Sequence, residues 1–187
     1  MRSVFLFLSI CFFSHSVFAG MLLDLGVAYS ADSLSKPTES GNTQTFYNAN
    51  LLFNLDNRGS WNAGWIFYGI SQTSTAASVA STYTSFDMGP AIRWNMDKNR
   101  MFSFTLAYGY LAKGGYSSGS TTEAWEGTSL LGQFSIQMPI RDEKLSVGLS
   151  LNYYAANYSK KVVSSVESTT DAQKTWMFPM ISMTWRP

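Results

Sequence analysis

Residues 145–153 read Leu-Ser-Val-Gly-Leu-Ser-Leu-Asn-Tyr, a stretch in which large apolar residues alternate with small or polar ones. Successive side chains of a β-strand point to opposite faces, so the stretch has one face of Leu, Val and Tyr and another of Ser, Gly and Asn. A strand that crosses a membrane needs about 9 to 11 residues of this kind. The stretch therefore predicts a strand with one side in lipid and the other in a polar interior.

The same alternation occurs seven more times, which predicts eight strands. The links after the second, fourth and sixth segments are short and charged, whereas those after the first, third, fifth and seventh are longer and rich in Ser and Thr. Short inner turns and longer outer loops are typical of bacterial membrane barrels, and an even strand count puts both termini in the periplasm. The segments are residues 21–30, 45–55, 61–68, 85–95, 102–110, a sixth whose clear second half is 130–138, 145–153 and 177–185; the short links are 56–60, 97–100 and 139–144; the long links are 31–44, 71–82, 113–122 and 159–170.

The first nineteen residues indicate export. Arg2 precedes an apolar run over residues 4–13, and Val17-Phe18-Ala19 ends the segment as a signal peptidase site requires. The run is too short to span a bilayer, so residues 1–19 are predicted to be a cleaved signal peptide and residues 20–187 the barrel domain. The alternative is a lipoprotein leader cut before Cys11, but the bulky Ile10 stands where such a site needs a small residue.

Composition narrows the class of protein. Charged residues make up 13% of the chain and aromatics 16%, whereas soluble domains carry about 25% charged residues. The chain has 13 basic and 12 acidic residues, and removal of the signal with Arg2 leaves 12 of each, which argues against a nucleic-acid partner. A secreted soluble barrel or sandwich would also alternate, but its solvent face would be dense in charge. Here that face is Gly, Ala, Ser, Thr and Asn, so the prediction is an all-β, eight-stranded antiparallel up-and-down transmembrane β-barrel.

Aromatic residues near the strand ends support this prediction, because rings with a polar edge favour the membrane interface. Pro90 and Pro179 do not fit, since each removes a hydrogen bond from a strand; Gly89 next to Pro90 suggests a bulge. Trp125 and Glu126 also fit the alternation of the sixth segment poorly. The expected aromatic belts comprise Trp61, Trp94 and Trp185 at one level and Tyr29, Tyr47, Tyr110 and Tyr153 near the other.

Charged residues on the inward face define the expected lumen. Asp24 and Arg93 both lie a few residues above the inner ends of their strands, so we expect a buried pair, joined by Gln133 or Gln137. Asp87 and Lys113 are further candidates for lumen contacts.

Catalysis and metal binding are not expected. The only His is His15, within the predicted signal, and the only Cys is Cys11, so the mature chain would lack the usual base and thiol of acyl-transfer chemistry. Its carboxylates show no metal-ligand spacing, and no cofactor is expected.

In these features the chain resembles the small eight-stranded outer-membrane barrels that include the OmpA membrane domain and OmpX. The resemblance covers residues 20–187 and implies a monomer in the outer membrane of a Gram-negative bacterium, surrounded by lipid and lipopolysaccharide. It also implies that the barrel assembly machinery reads the last strand with its terminal aromatic, Trp185; here Arg186 and Pro187 follow that residue.

The predicted barrel is compatible with two functions. The first is a structural and surface-interaction role through the outer loops, where Lys160 and Lys161 could meet lipid phosphates. The alternative is a narrow, porin-like channel or a binding barrel for a small, partly apolar solute, because the inward face includes bulky residues. These are Leu52, Ile66, Tyr68, Ile70, Trp176 and Phe178.

Overall fold

The computed structural model describes residues 20–34, 40–76, 79–141 and 144–187. These residues form eight long strands. The predicted signal peptide lies outside the described residues. No helix within these ranges is long and apolar enough to cross a membrane. The strands are β1 (Met21–Leu34), β2 (Ser40–Asn54), β3 (Trp61–Ala76), β4 (Val79–Asn95), β5 (Phe102–Ser118), β6 (Thr121–Arg141), β7 (Leu145–Val163) and β8 (Val166–Trp185).

Each strand pairs with its neighbours in sequence, and β8 returns to pair with β1, so the sheet is a closed barrel. All pairings are antiparallel. The predicted all-β, eight-stranded antiparallel up-and-down barrel is therefore confirmed. We call the end with the β2–β3, β4–β5 and β6–β7 connections the turn end, and the opposite end the hairpin end.

The two faces of the strands differ as their alternation predicts. Leu149 is 60% exposed on the outside of β7, whereas the adjacent Ser150 is buried and Asn152 is 0% exposed. Phe104 on β5 is likewise exposed between Ser103 and Thr105, which point inward and are buried. Side chains fill the interior because eight strands enclose little more space than those side chains need.

The long links predicted between the strands are mostly strand. β7 continues to Val163 and β8 begins at Val166. Ser164 and Ser165 between them have φ values of 49° and 68°, the left-handed pair of a two-residue hairpin turn. Thr and Val in these links favour strands, and each ladder therefore runs on into what we call the hairpin extensions.

A bulge in β5 changes the predicted direction of Lys113. Between the pairs Met88↔Leu111 and Ala91↔Ala107, β5 has one residue more than β4, and it has one more than β6 between Gly109 and Ala112. An extra residue reverses the alternation beyond it. Ala112 is therefore buried and Lys113 is exposed on the outer face, so the expected lumen contact of Lys113 is wrong.

The same bulge accounts for Pro90, which lies opposite it. Tyr108 lies in the interrupted part of the ladder, and its carbonyl oxygen sits so close to Gly89 that a Cβ there would collide with it. Gly89 and Pro90 therefore lie opposite the bulge, where the β4–β5 ladder is interrupted. The backbone N–H that Pro90 lacks costs least at this point, because the ladder is already broken there.

Pro179 lies beside the joint between the first and last strands. On one side it pairs with Leu151 of β7. On the other side, the described β1–β8 ladder has five pairs and ends at Val27↔Ile181. Pro179 lies beyond that last pair, on a part of β8 that behaves as a sheet edge, where proline is tolerated.

Candidate functional site: the lumen and its outer mouth

The lumen near the turn end is centred on a buried ion pair, which we call the ion-pair layer. Arg93 on β4 donates through Nη2 to Asp24 Oδ2 on β1, and both side chains are 0% exposed. Asn50 Nδ2 and Thr184 Oγ1 donate to the same carboxylate at 3.2 Å each. Arg93 Nε donates to Thr105 Oγ1 at 2.9 Å. The structure thus brings the two expected partners together across the barrel.

The two glutamines named as connectors have different surroundings. Gln137 Nε2 donates to Thr184 Oγ1 at 2.6 Å and so reaches Asp24 through that hydroxyl. Gln133 instead donates to Ser150 Oγ at 3.2 Å. Arg186 extends the network toward the turn end, because its Nη2 donates to Gln137 Oε1 at 3.0 Å. The sequence did not predict these hydrogen bonds. The partners of the two glutamines are neutral hydroxyl groups, and Arg186 lies outside the alternating strand pattern.

Aromatic rings block the middle of the lumen. Phe46 and Tyr68 are 0% exposed and Phe178 is 2% exposed. The ring centroids of Phe46 and Phe178 are 4.5 Å apart, and those of Trp176 and Phe178 are 4.1 Å apart. Leu52 and Ile66 are also 0% exposed. The bulky inward residues therefore pack against one another across the barrel.

Asp87 lies on the hairpin side of this aromatic layer, within a network of hydroxyl groups. Ser85 Oγ donates to Asp87 Oδ1, and Tyr154 Oη donates to Asp87 Oδ2 at 2.8 Å. Tyr158 Oη donates to Ser85 Oγ at 3.2 Å and lies 2.5 Å from Tyr83 Oη. We call these five residues the tyrosine network. It closes the lumen a second time and fixes the position of the Tyr83 ring.

A pocket of about 230 Å³ lies beyond the tyrosine network, among the inward faces of the hairpin extensions. We call it the mouth pocket. Five strands contribute to it, and it lies above the apolar part of the outer face, since Asn157 and Thr175 point outward at this level. Its lining includes Gln72, Ser81, Tyr83, Tyr116, Trp125 and Lys174.

Aromatic rings form one wall of the mouth pocket. Tyr116 and Trp125 stack with centroids 5.4 Å apart and an interplanar angle of 8°. Trp125 Nε1 donates to Glu123 Oε2 at 2.8 Å, which holds the indole in place. Trp125 is thus in phase with the inward residues of β6, and the apparent irregularity of its segment came from β6 beginning as early as Thr121.

Amide and hydroxyl groups form the other wall. Gln72 Nε2 donates to Asn42 Oδ1 at 2.9 Å and lies 3.2 Å from Ser74 Oγ. Lys174 Nζ donates to Gln72 Oε1 and lies 5.4 Å from the centroid of the Tyr83 ring. Burial lowers the pKa of Lys174. Among the side chains that the structure describes, which leave out residues 32–39, no carboxylate forms an ion pair with Lys174.

Sequence reasoning missed the mouth pocket because half of its lining residues, namely Gln72, Ser74, Ser81 and Tyr116, stand in segments predicted to be loops. The available signal was Lys174, a single cation at an inward position of a strand otherwise alternating toward Trp185. The extent of β3 and β8 was needed to bring Gln72 against it.

The seven predicted belt aromatics all point outward, with exposed fractions between 42% for Trp94 and 70% for Tyr29. Trp61 and Trp94 flank the turn end and stack at 5.9 Å with an interplanar angle of 17°. Trp185 ends β8 at the same end and pairs with Leu145. Tyr29, Tyr47, Tyr110 and Tyr153 lie further toward the hairpin end.

No group of three or more His, Cys, Asp or Glu side chains within the described parts of the chain is arranged to hold a metal ion. The fold and its interior thus define a closed eight-stranded barrel with a packed lumen and a blind pocket at one end.

Comparison with known proteins adds a distant structural likeness. No protein-family model matches the chain, and no curated protein sequence matches it. Among solved structures, the translocator domain of the autotransporter NalP from Neisseria meningitidis is similar with a TM-score of 0.45 and 11% sequence identity. The match covers 97% of this chain and 66% of that one. At this identity, the likeness says nothing about activity or partners.

Proposed function

We propose that this chain is an integral outer-membrane β-barrel without catalytic activity, whose closed lumen is structural and whose hairpin extensions meet other molecules outside the cell. The observation that carries the proposal is the apolar outer face. Along β7 every outward residue from Leu145 to Ala155 is apolar, and the first polar one is Asn157. With the strand rise and a tilt of about 40°, this segment is about 25 Å tall, which is the height of the lipid-facing band of such barrels.

A water-soluble barrel is a poor explanation for this surface. Soluble monomers rarely expose contiguous apolar patches above a few hundred Å², yet β1, β4, β5, β7 and β8 all present exposed Leu, Ile, Val, Phe or Met on the outer face. Lys113 and Glu126, which face each other across β5 and β6, lie at the upper limit of this band. Lipid is the solvent that such a face requires.

The connections support one orientation in the membrane. The turns at the turn end are short and charged, while the hairpin extensions project beyond the apolar band. Short turns in bacterial barrels are periplasmic, which supports an orientation with both ends of the chain in the periplasm and the mouth pocket outside the cell. We expect a monomer among outer-membrane lipid and lipopolysaccharide, inserted by the barrel assembly machinery.

The alternative of a conducting channel is less well supported. Three layers cross the lumen between its ends: the ion-pair layer, the packed rings around Phe46, and the tyrosine network. A binding role at the mouth remains compatible with this plugged interior.

Lys160 and Lys161 are weaker candidates for contacts with lipid phosphates. Lys160 Nζ lies 3.2 Å from Glu167 Oε1, and Lys161 Nζ lies 3.9 Å from Glu123 Oε1. The first pair is exposed and contributes little to stability, whereas Lys161 and Glu123 are partly buried. In both pairs the carboxylate neutralises its lysine.

Membrane insertion can be tested with a charge on the outer face. Leu149→Lys should cost about 2–4 kcal/mol of folding free energy in lipid vesicles, because the ammonium would face hydrocarbon. The matched control is Asn157→Lys, which points outward on the same strand above the apolar band and should be nearly neutral. Equal, negligible effects of both changes would contradict the proposal, as would recovery of the exported protein in detergent-free periplasmic extract.

A further inference from the structure

We propose that the mouth pocket binds a single sugar ring that carries a negative charge, such as a uronic acid or a phosphorylated hexose. The pocket itself is a property of the fold. Only the source of the sugar, outside the cell, depends on the proposed orientation. Its volume of about 230 Å³ is below the 300–1,000 Å³ of pockets for drug-sized ligands. One ring fits this space better than an oligomer.

Two walls of different chemistry match the two aspects of a sugar. The stacked Tyr116 and Trp125 offer aromatic faces, whose negative charge density attracts the C–H groups of a pyranose ring. Gln72 on β3 and Ser81 on β4 line the same pocket and supply amide and hydroxyl groups for sugar hydroxyls. A purely apolar solute would gain no hydrogen bond from these groups.

Lys174 selects for negative charge. It is half-buried and in contact with Gln72 and the Tyr83 ring, and none of the acidic side chains that the structure describes, which leave out residues 32–39, forms an ion pair with it. Removing a cation from water without an anion costs free energy. A carboxylate or phosphate in the pocket would recover that cost through a charge-assisted hydrogen bond.

The pocket is arranged for binding before a ligand arrives. Hydrogen bonds to Glu123 and Tyr158 hold the rings of Trp125 and Tyr83, and Asn42 holds Gln72. Fixed side chains reduce the entropy lost on binding. Because the tyrosine network closes the pocket floor, the bound sugar stays at the mouth.

The test is calorimetric titration of the full barrel, folded in phosphatidylcholine vesicles, with glucuronate and glucose 6-phosphate. Glucose, inorganic phosphate and benzoate serve as comparison ligands. We expect both anionic sugars to bind at least tenfold more tightly than glucose or phosphate, because each comparison ligand lacks the charge or the ring. Equal binding of phosphate alone, or of benzoate, would overturn the proposal.

Variants then assign the binding to the pocket. Lys174→Gln should weaken glucuronate binding about tenfold or more while leaving glucose binding unchanged. The control is Lys113→Gln, which removes the same charge from the outer face of β5 and should have no effect. Trp125→Leu should weaken all sugars. Heat-dependent gel migration verifies folding of each variant, and unchanged glucuronate affinity in a folded Lys174→Gln barrel would refute the site.

A final arm separates the two sources of an anionic sugar. If lipopolysaccharide of the same membrane fills the pocket, its inclusion in the vesicles should lower the apparent glucuronate affinity. If the ligand is a dissolved sugar, the affinity should not change; both results support the pocket and identify its occupant. Location in the membrane is measured independently by Leu149→Lys, so loss of sugar binding in an inserted barrel contradicts this inference alone.

Discussion

At the scale of single residues, the ion pair between Asp24 and Arg93 is the most consequential contact in the lumen. Both groups are 0% exposed, and the carboxylate also accepts hydrogen bonds from Asn50 and Thr184. A buried pair is costly to form, but removal of one partner is costlier still because it leaves the other charge without compensation.

Asp24→Asn should therefore lower the free energy of unfolding by about 3–5 kcal/mol. The measurement is urea unfolding in lipid vesicles, followed by tryptophan fluorescence. Adding Arg93→Met should restore much of the loss, since the double variant has no unpaired charge. The control is Asp171→Asn, on the exposed outer side of β8. If Asp24→Asn cost no more than this control, the pair would not stabilise the barrel.

At the scale of elements, the turns at the turn end share one design. Asp56 Oδ1 accepts a hydrogen bond from the backbone N–H of Trp61 at 3.2 Å, and Asp97 Oδ1 accepts one from Phe102 at 2.8 Å. In both turns the aspartate holds the first residue of the next strand. Asp97 Oδ2 also accepts from the N–H of Asn99 at 3.1 Å.

These hydrogen bonds predict how the second turn responds to pH. Slight burial acts to raise the pKa of Asp97, but backbone N–H donors outweigh it and lower the pKa overall. The resulting stabilisation is present above the ordinary carboxyl pKa of about 3.9 and is lost as the pH falls through the lowered folded pKa. Asp97→Asn should remove this dependence, so its stability difference from the natural protein should shrink between pH 7 and strongly acidic pH. Asp97→Ala should cost about 1 kcal/mol at pH 7. If the difference in unfolding free energy between the natural protein and Asp97→Asn did not change with pH, this account would be contradicted.

The β5 bulge makes a separate prediction about side-chain direction. Lys113→Cys should react quickly with a hydrophilic maleimide on the folded protein in detergent, whereas Ala112→Cys, at a position that is 0% exposed, should be protected. Cys11 would leave with the predicted signal, so the introduced thiol alone would be labelled. Uninterrupted alternation along β5 predicts the reverse order of reactivity and would rule out the bulge.

At the scale of the whole molecule, the closed lumen predicts that the barrel does not conduct ions. Phe46, Tyr68 and Phe178 pack across the barrel below the tyrosine network. Planar-bilayer recordings should therefore show no stable single-channel steps. Regular steps with a reproducible conductance would indicate that these layers open, and would favour the channel over the structural interpretation.

Alternation was enough to predict eight strands and the outward direction of residues such as Leu149 and Phe104, because burial imposes a strict period of two. It could not predict Lys113, since the extra residue in β5 depends on how Tyr108 meets Gly89 in the neighbouring strand. The placement of Asp24 and Arg93 at one depth followed from counting along each strand. The mouth pocket could not be found this way, because Gln72 and Lys174 meet only when the shear of the barrel is known.

The short joint between β1 and β8 has a consequence for how the ring assembles. Its contacts join residues as far apart in sequence as Asp24 and Thr184, 160 positions away, so sealing the ring carries the largest loop-closure entropy of any step. With five described pairs, this joint should be the last to form on folding and the first to open locally. Amide hydrogens at Val27 and Ile181 should exchange with deuterium sooner than those at Leu151, and the opposite order would mean that the ring has no weak point there.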